Sequence, residues 1–101
     1  MSDDELKQFA TDFRGGILDG RSSEMTCFMV CAPLAGLLQM RGVTVAVEEG
    51  DLGFCNHFWL RLQDGRVLDP TADQFNALFS LALPPVYLGP PLANLHPRSS
   101  P

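Results

Sequence analysis

Residues 56–71 read Asn-His-Phe-Trp-Leu-Arg-Leu-Gln-Asp-Gly-Arg-Val-Leu-Asp-Pro-Thr, and this stretch decides the fold. Asn56 to Gln63 is rich in aromatic and aliphatic side chains and reads as a strand. Asp64-Gly65 is a strong hairpin signal, leading into a second strand at Arg66–Leu68. Asp69-Pro70-Thr71 is a turn. Strand residues alternate, so His57, Trp59 and Arg61 share one face while Phe58, Leu60 and Leu62 share the other. Hairpin strands lie ~5 Å apart. Asp69 is therefore able to lie beside His57.

Upstream, residues 25–41 read as a central helix. Met25, Phe28, Met29, Val30, Leu34, Leu37, Leu38 and Met40 make it apolar nearly all round, as expected of a helix buried in a domain. Pro33 is expected to kink it or to confine its regular part to the C-terminal side, and Gly42 to stop it. Val43–Val47 is β-branched and reads as a strand, with a polar turn at 48–53. Residues 3–14 read as an N-terminal helix. Ser2 and Glu5 form a capping box, Leu6, Phe9, Ala10 and Phe13 fall on one face, and Gly15-Gly16 is expected to end it. Residues 17–24 read as a polar loop, and residues 73–81 as a short helix carrying Phe75, Leu78 and Phe79.

Six of the eighteen residues from Pro84 to Pro101 are proline. Such a segment is neither helix nor central strand. The expected organisation is one domain over residues 1–83 and a proline-rich tail over 84–101. Pro84–Leu88 is expected to pack on the body, with the last residues mobile. The fold class expected is α+β, a cysteine-bearing central helix packed on a small antiparallel sheet.

The chain has 101 residues, 46% of them hydrophobic and 19% charged. That suits one modest core, with about two-thirds of the surface buried on folding. Seven basic and twelve acidic side chains give −5, with no basic cluster. Nucleic acid and anionic membrane surfaces are disfavoured as partners. The longest run without a polar side chain, Cys27 to Leu38, is twelve residues, against the ~20 needed to cross a bilayer. The acidic start (Ser2, Asp3, Asp4, Glu5) is the reverse of a secretory signal. Three cysteines, an odd number, suit free thiols in a reducing compartment, and a cytoplasmic location is expected.

Cys27 opens the central helix, where the unpaired N–H groups and the macrodipole favour a thiolate. Read singly, Cys27 suits core packing, His57 a surface position, and Asp69 a turn cap. Together they supply, in order, a cysteine nucleophile, a general base and an orienter for that base. Cys31, one helical turn after Cys27, is the alternative nucleophile, because Pro33 suits the first turn of a helix starting just after it. A different chemistry uses Cys27-x3-Cys31 with Cys55-x-His57 as a tetrahedral zinc site. That reading leaves Asp69 and Trp59 unused, so no metal and no cofactor are expected.

About half the chain, Cys27 to Phe75, resembles the transglutaminase-like branch of the papain-like cysteine enzymes. The residues that carry the resemblance are Cys27, Leu34, Leu37, Leu38, Gly42, the strand Val43–Val47, His57-Phe58-Trp59 and Asp69-Pro70-Thr71. The most specific part is His-x-Trp followed by Asp-Pro-Thr. The resemblance implies Cys27 as nucleophile, His57 as general base and acid, Asp69 as its orienter, and Trp59 packed near the site. It departs from the family where Met25-Thr26 replaces the glycine before the cysteine, at Pro33, and in lacking an upstream glutamine. Ser22, Ser23 or a backbone amide is then left as second oxyanion donor. The function implied is a small cysteine hydrolase or acyltransferase of protease, deamidase or transamidase type. It would act on a protein, peptide or small amide through a thioester. The alternatives are an inactive binding module of the same fold and a zinc-stabilised domain.

Overall fold

The computed structural model describes residues 1–20, 26–53 and 55–97. Helix α1 spans Asp3–Leu18 and α2 spans Cys27–Met40. Four strands follow: β1 Val45–Asp51, β2 Asn56–Leu62, β3 Val67–Asp69 and β4 Tyr87–Gly89. A 3-10 turn, Ala72–Phe75, and a short helix α3, Asn76–Phe79, lie between β3 and β4. The strands form one antiparallel sheet in the order β1-β2-β3-β4. The architecture is α+β, and each strand pairs with its neighbour in sequence.

Leu60 and Leu62 of β2, Leu68 of β3 and Val45 of β1 point to the helical side. There they join Cys31, Leu34, Ala35 and Leu38 of α2 and Leu6 and Ala10 of α1 in the core. His57 and Trp59 point the other way and meet Phe75 and His96.

Several elements differ from their sequence-based limits for local physical reasons. The Ser2–Glu5 capping box forms as expected, but α1 runs through Gly15-Gly16. A glycine in a helix costs about 0.5–1 kcal/mol, which the burial of Leu18 offsets. The helix stops instead at Asp19 and Gly20, with φ of 49° and 81°. Helix α2 continues past Pro33. Proline leaves the carbonyl of Met29 without its ladder partner, and both residues lie on the exposed side of the helix. Val43 donates to the Leu38 carbonyl and closes the helix end, so β1 begins at Val45. It then runs through Glu48 and Glu49, which the sequence suggests as a turn. One side of this edge strand is open to solvent, and Glu48 pairs with Arg61 of β2 at 2.9 Å.

Residues 84–97, expected as an appended tail, contribute β4 and bury Val86, Leu95 and His96. Pro85 and Pro90 flank β4, which is three residues long and forms an edge of the sheet. The expectation of mobile final residues falls on 98–101, outside the described residues, as do Ser22 and Ser23.

Candidate active site

The β2–β3 hairpin brings His57 and Asp69 together. Its register pairs Leu60 with Leu68 and Arg61 with Val67. Gly65, at φ 90°, makes the tight turn that fixes this register. His57 Nε2 lies 2.7 Å from Asp69 Oδ2, and both side chains are fully buried. The Thr71 backbone N–H donates to the other oxygen, Oδ1, at 3.0 Å. The Asp-Pro-Thr turn thus orients the carboxylate while the hairpin delivers it.

A second histidine reaches the same oxygen. His96 Nε2 lies 2.7 Å from Asp69 Oδ2. The Leu92 backbone N–H donates to His96 Nδ1 at 3.0 Å. An accepting Nδ1 carries no proton, so the His96 ring proton sits on Nε2 and is donated to Asp69. The sequence reading missed His96. It lies in the segment expected as a tail, although Val86, Tyr87, Leu92 and Leu95 make that segment too apolar for a solvated one. His57 and His96 are also the chain's two histidines.

Burial opposes a charge on Asp69, but the hydrogen bonds from His57 and His96 outweigh it and hold the carboxyl below its usual range. Burial likewise opposes a charge on His57. The bond to Asp69 and the interaction with Cys27 overcome it and raise the imidazole to about 9. With Nε2 committed to Asp69, Nδ1 is the nitrogen left for the thiol. Nδ1 is buried without a fully formed hydrogen bond among the described residues. The Cys27 thiol is near enough to shift both groups but is not in ideal bonding geometry, as is common before substrate binds.

Cys27 is the first residue of α2 and is 7% exposed. Burial pushes its thiol up, yet His57 and the backbone amides of Phe58 and Phe28 outweigh that and leave it lowered. The other two thiols move the opposite way. Cys31 is fully buried in the core, with its Sγ 3.4 Å from the Phe58 carbonyl oxygen. Burial, and then the charges of Asp69 and Cys27, push it well above the ordinary value. Burial also raises Cys55. The structure therefore places the alternative nucleophile, Cys31, in the core facing a carbonyl.

Trp59 is buried with its ring 5.5 Å from His57 and 5.1 Å from His96, centroid to centroid. Phe75 stands edge-on to His57 at 4.8 Å. These rings exclude water from the hydrogen-bonded pair, which strengthens it.

Among the described residues, the grouping with metal-ligand potential is His57, Asp69 and His96, whose ligand atoms lie within 4.8 Å of one another. The three cysteines do not gather with His57 in this way among the described residues, so the zinc alternative loses its ligand set. Ligands around zinc at ~2.0–2.1 Å stand well over 3 Å apart. The 2.7 Å nitrogen–oxygen distances are those of hydrogen bonds.

Compared with known proteins, the chain gives no significant match to any protein-family model, curated protein or solved structure.

Proposed function

We propose that this protein is a small cysteine hydrolase or acyltransferase with Cys27 as nucleophile, His57 as general base and acid, and Asp69 as orienter. The observation that carries the reading is geometric: Asp69 holds His57 Nε2 at 2.7 Å, which leaves Nδ1 for Cys27 at the start of α2, and of the three thiols Cys27 alone is lowered. The cysteine-bearing helix packed on an antiparallel sheet agrees with the papain-like, transglutaminase-like core that the motifs resemble.

The reaction follows from which nitrogen faces sulfur. Asp69 accepts from His57 Nε2, so Nδ1 is the nitrogen that takes the thiol proton, and the raised imidazole and lowered thiol favour the thiolate–imidazolium pair. The Cys27 proton moves to Nδ1, and the thiolate attacks an amide or related acyl carbon. His57 returns the proton to the leaving amine as the C–N bond breaks, leaving a thioester. Water or a second amine then attacks, giving up a proton to His57, and the acid or new amide departs as the thiol re-forms. The Cys27 and Phe28 amides, at the start of α2, are suited to hold the developing oxyanion. Protein, peptide and small amide substrates share this chemistry. The acidic charge argues against nucleic acid, and the unpaired thiols suit a reducing, cytoplasmic setting.

The test is limiting iodoacetamide at pH 6 with peptide mapping. Cys27 is expected to label well before Cys31 and Cys55, and His57→Ala is expected to slow it without unfolding the protein. Equal, slow labelling of all three, indifferent to His57→Ala, would mean an inactive binding module. One equivalent of tightly bound zinc, with unfolding by a chelator, would mean a metal-stabilised domain.

A further inference from the structure

We propose that His96 is a positioning residue of the reactive centre, holding Asp69 against His57 Nε2 so that Nδ1 stays turned to Cys27. The inference rests on the reading of Cys27, His57 and Asp69 given above.

Three geometric observations carry it. First, His57 and His96 donate to the same oxygen, Asp69 Oδ2, each at 2.7 Å. Thr71 N–H takes Oδ1, so donors hold both ends of the carboxylate and it cannot swing away from His57. Second, the tautomer of His96 is set from outside the centre. Leu92 N–H occupies its Nδ1, which leaves Nε2–H as the donor. Third, the ring is fixed on both sides. Tyr87 stacks on it with centroids 5.9 Å apart and 20° between planes, and Trp59 meets it edge-on. The Tyr87 hydroxyl is itself anchored, donating to the Pro90 carbonyl at 2.6 Å.

His96 does not face the thiol in this arrangement. The titratable groups around His57 are Cys27 from α2, Asp69 from β3 and His96 from the segment after β4. His96 therefore acts through Asp69. Without it, one donor to Oδ2 is lost, and the carboxylate gains freedom to rotate. His57 is then held less firmly at Nε2, and the imidazolium that faces the Cys27 sulfur loses part of its support.

The test is the rate of Cys27 alkylation against pH in three full-length proteins: unsubstituted, His96→Phe and His96→Gln. Phe keeps the bulk and the ring contacts but donates nothing. Gln retains an N–H donor near the position of Nε2. The expected result is a His96→Phe profile slower by about tenfold near pH 6, equivalent to about one pKa unit of lost ion-pair preference. His96→Gln should recover most of that loss at comparable thermal stability. Nitrogen-15 NMR of the unsubstituted protein supplies a readout that needs no variant: His96 should show a protonated Nε2 and a bare Nδ1. An unchanged profile in folded His96→Phe, or a His96 ring protonated on Nδ1 alone, overturns the role of His96. A Cys27 that labels no faster than Cys55 in the unsubstituted protein overturns the reactive centre itself, and the role of His96 with it.

Discussion

The Trp59 indole occupies the space that a side chain on Gly50 would need. Gly50 faces His57 across the β1–β2 ladder. A β-carbon there would sit 2.6 Å from Trp59 Cη2 and 2.7 Å from Pro97 Cγ. Gly50 thus lets the indole and the end of the His96 segment close over the strand. Gly50→Ala forces one of them to move, and overpacking of this kind costs about 1–3 kcal/mol. The urea midpoint should fall accordingly. Cys27 alkylation should slow as well, because Trp59 rests on both histidine rings. A variant as stable and as reactive as the parent would show that the contact is slack.

Asp69→Asn keeps the shape of the centre and removes its charge. An amide nitrogen at the Oδ2 position sets a donor against two donors, and an amide oxygen there is a weaker acceptor. Leaving buried donors poorly satisfied costs about 1–3 kcal/mol. The His57 imidazole should fall from about 9 toward its ordinary 6.5, which NMR titration of the ring reads directly. Cys27 alkylation at pH 6 should drop with it. A His57 that still titrates near 9 in Asp69→Asn would remove Asp69 as the source of the shift.

Stability should follow pH in a defined way. His57 is raised from 6.5 to about 9 in the folded protein. Its contribution is fully present below 6.5 and is lost as pH rises through 9. Asp69 is lowered from 3.8, so its contribution is present above 3.8 and is lost as pH falls through the folded value. The lowered Cys27 contributes in the opposite sense to His57, adding stability toward and above its ordinary value of 9.0. From these groups, maximal stability is expected between about pH 4 and 6.5, with a decline toward pH 9 that His57→Ala flattens. Denaturant melts across this range check it.

Arg14 ties three segments around the site. Its guanidinium donates to the Pro70 carbonyl at 3.1 Å, to the Pro85 carbonyl at 2.8 Å, and to both oxygens of Asp73 at 3.0 and 3.3 Å. The side chain is only 12% exposed. Hydrogen bonds involving a charged group contribute about 1.5–3 kcal/mol. Arg14→Ala should lose about that amount in a urea melt, while Arg14→Lys, which lacks the planar fork, should recover only part of it.

What the sequence disclosed depended on how local the determinant was. Asp64-Gly65 and the alternation from His57 to Leu62 lie within one hairpin, so spacing showed that Asp69 could lie beside His57. The apolar run from Cys27 to Leu38 announced a buried helix for the same reason. The rest needed tertiary context. Glu48 and Glu49 look like a turn until β2 is beside them and Arg61 is within reach. Gly15-Gly16 looks like a helix end until Leu18 is seen to be buried. His96 was hidden among prolines because its role depends on an oxygen 27 residues away.

That separation has a kinetic consequence. Asp69 is 12 residues from His57 but 27 from His96. Each doubling of a loop adds roughly 0.6 kcal/mol of closure entropy, so the hairpin pair is the easier to form and the harder to lose. β4 joins the sheet through three residue pairs with β3, and the segment after it carries the later contact. On partial opening it should detach first, leaving the hairpin and its hydrogen-bonded pair intact but the carboxylate loosened. Sulfur reactivity would then behave as the most fragile property of the molecule. In rising urea it should vanish before the far-ultraviolet signal of the helices and sheet begins to change.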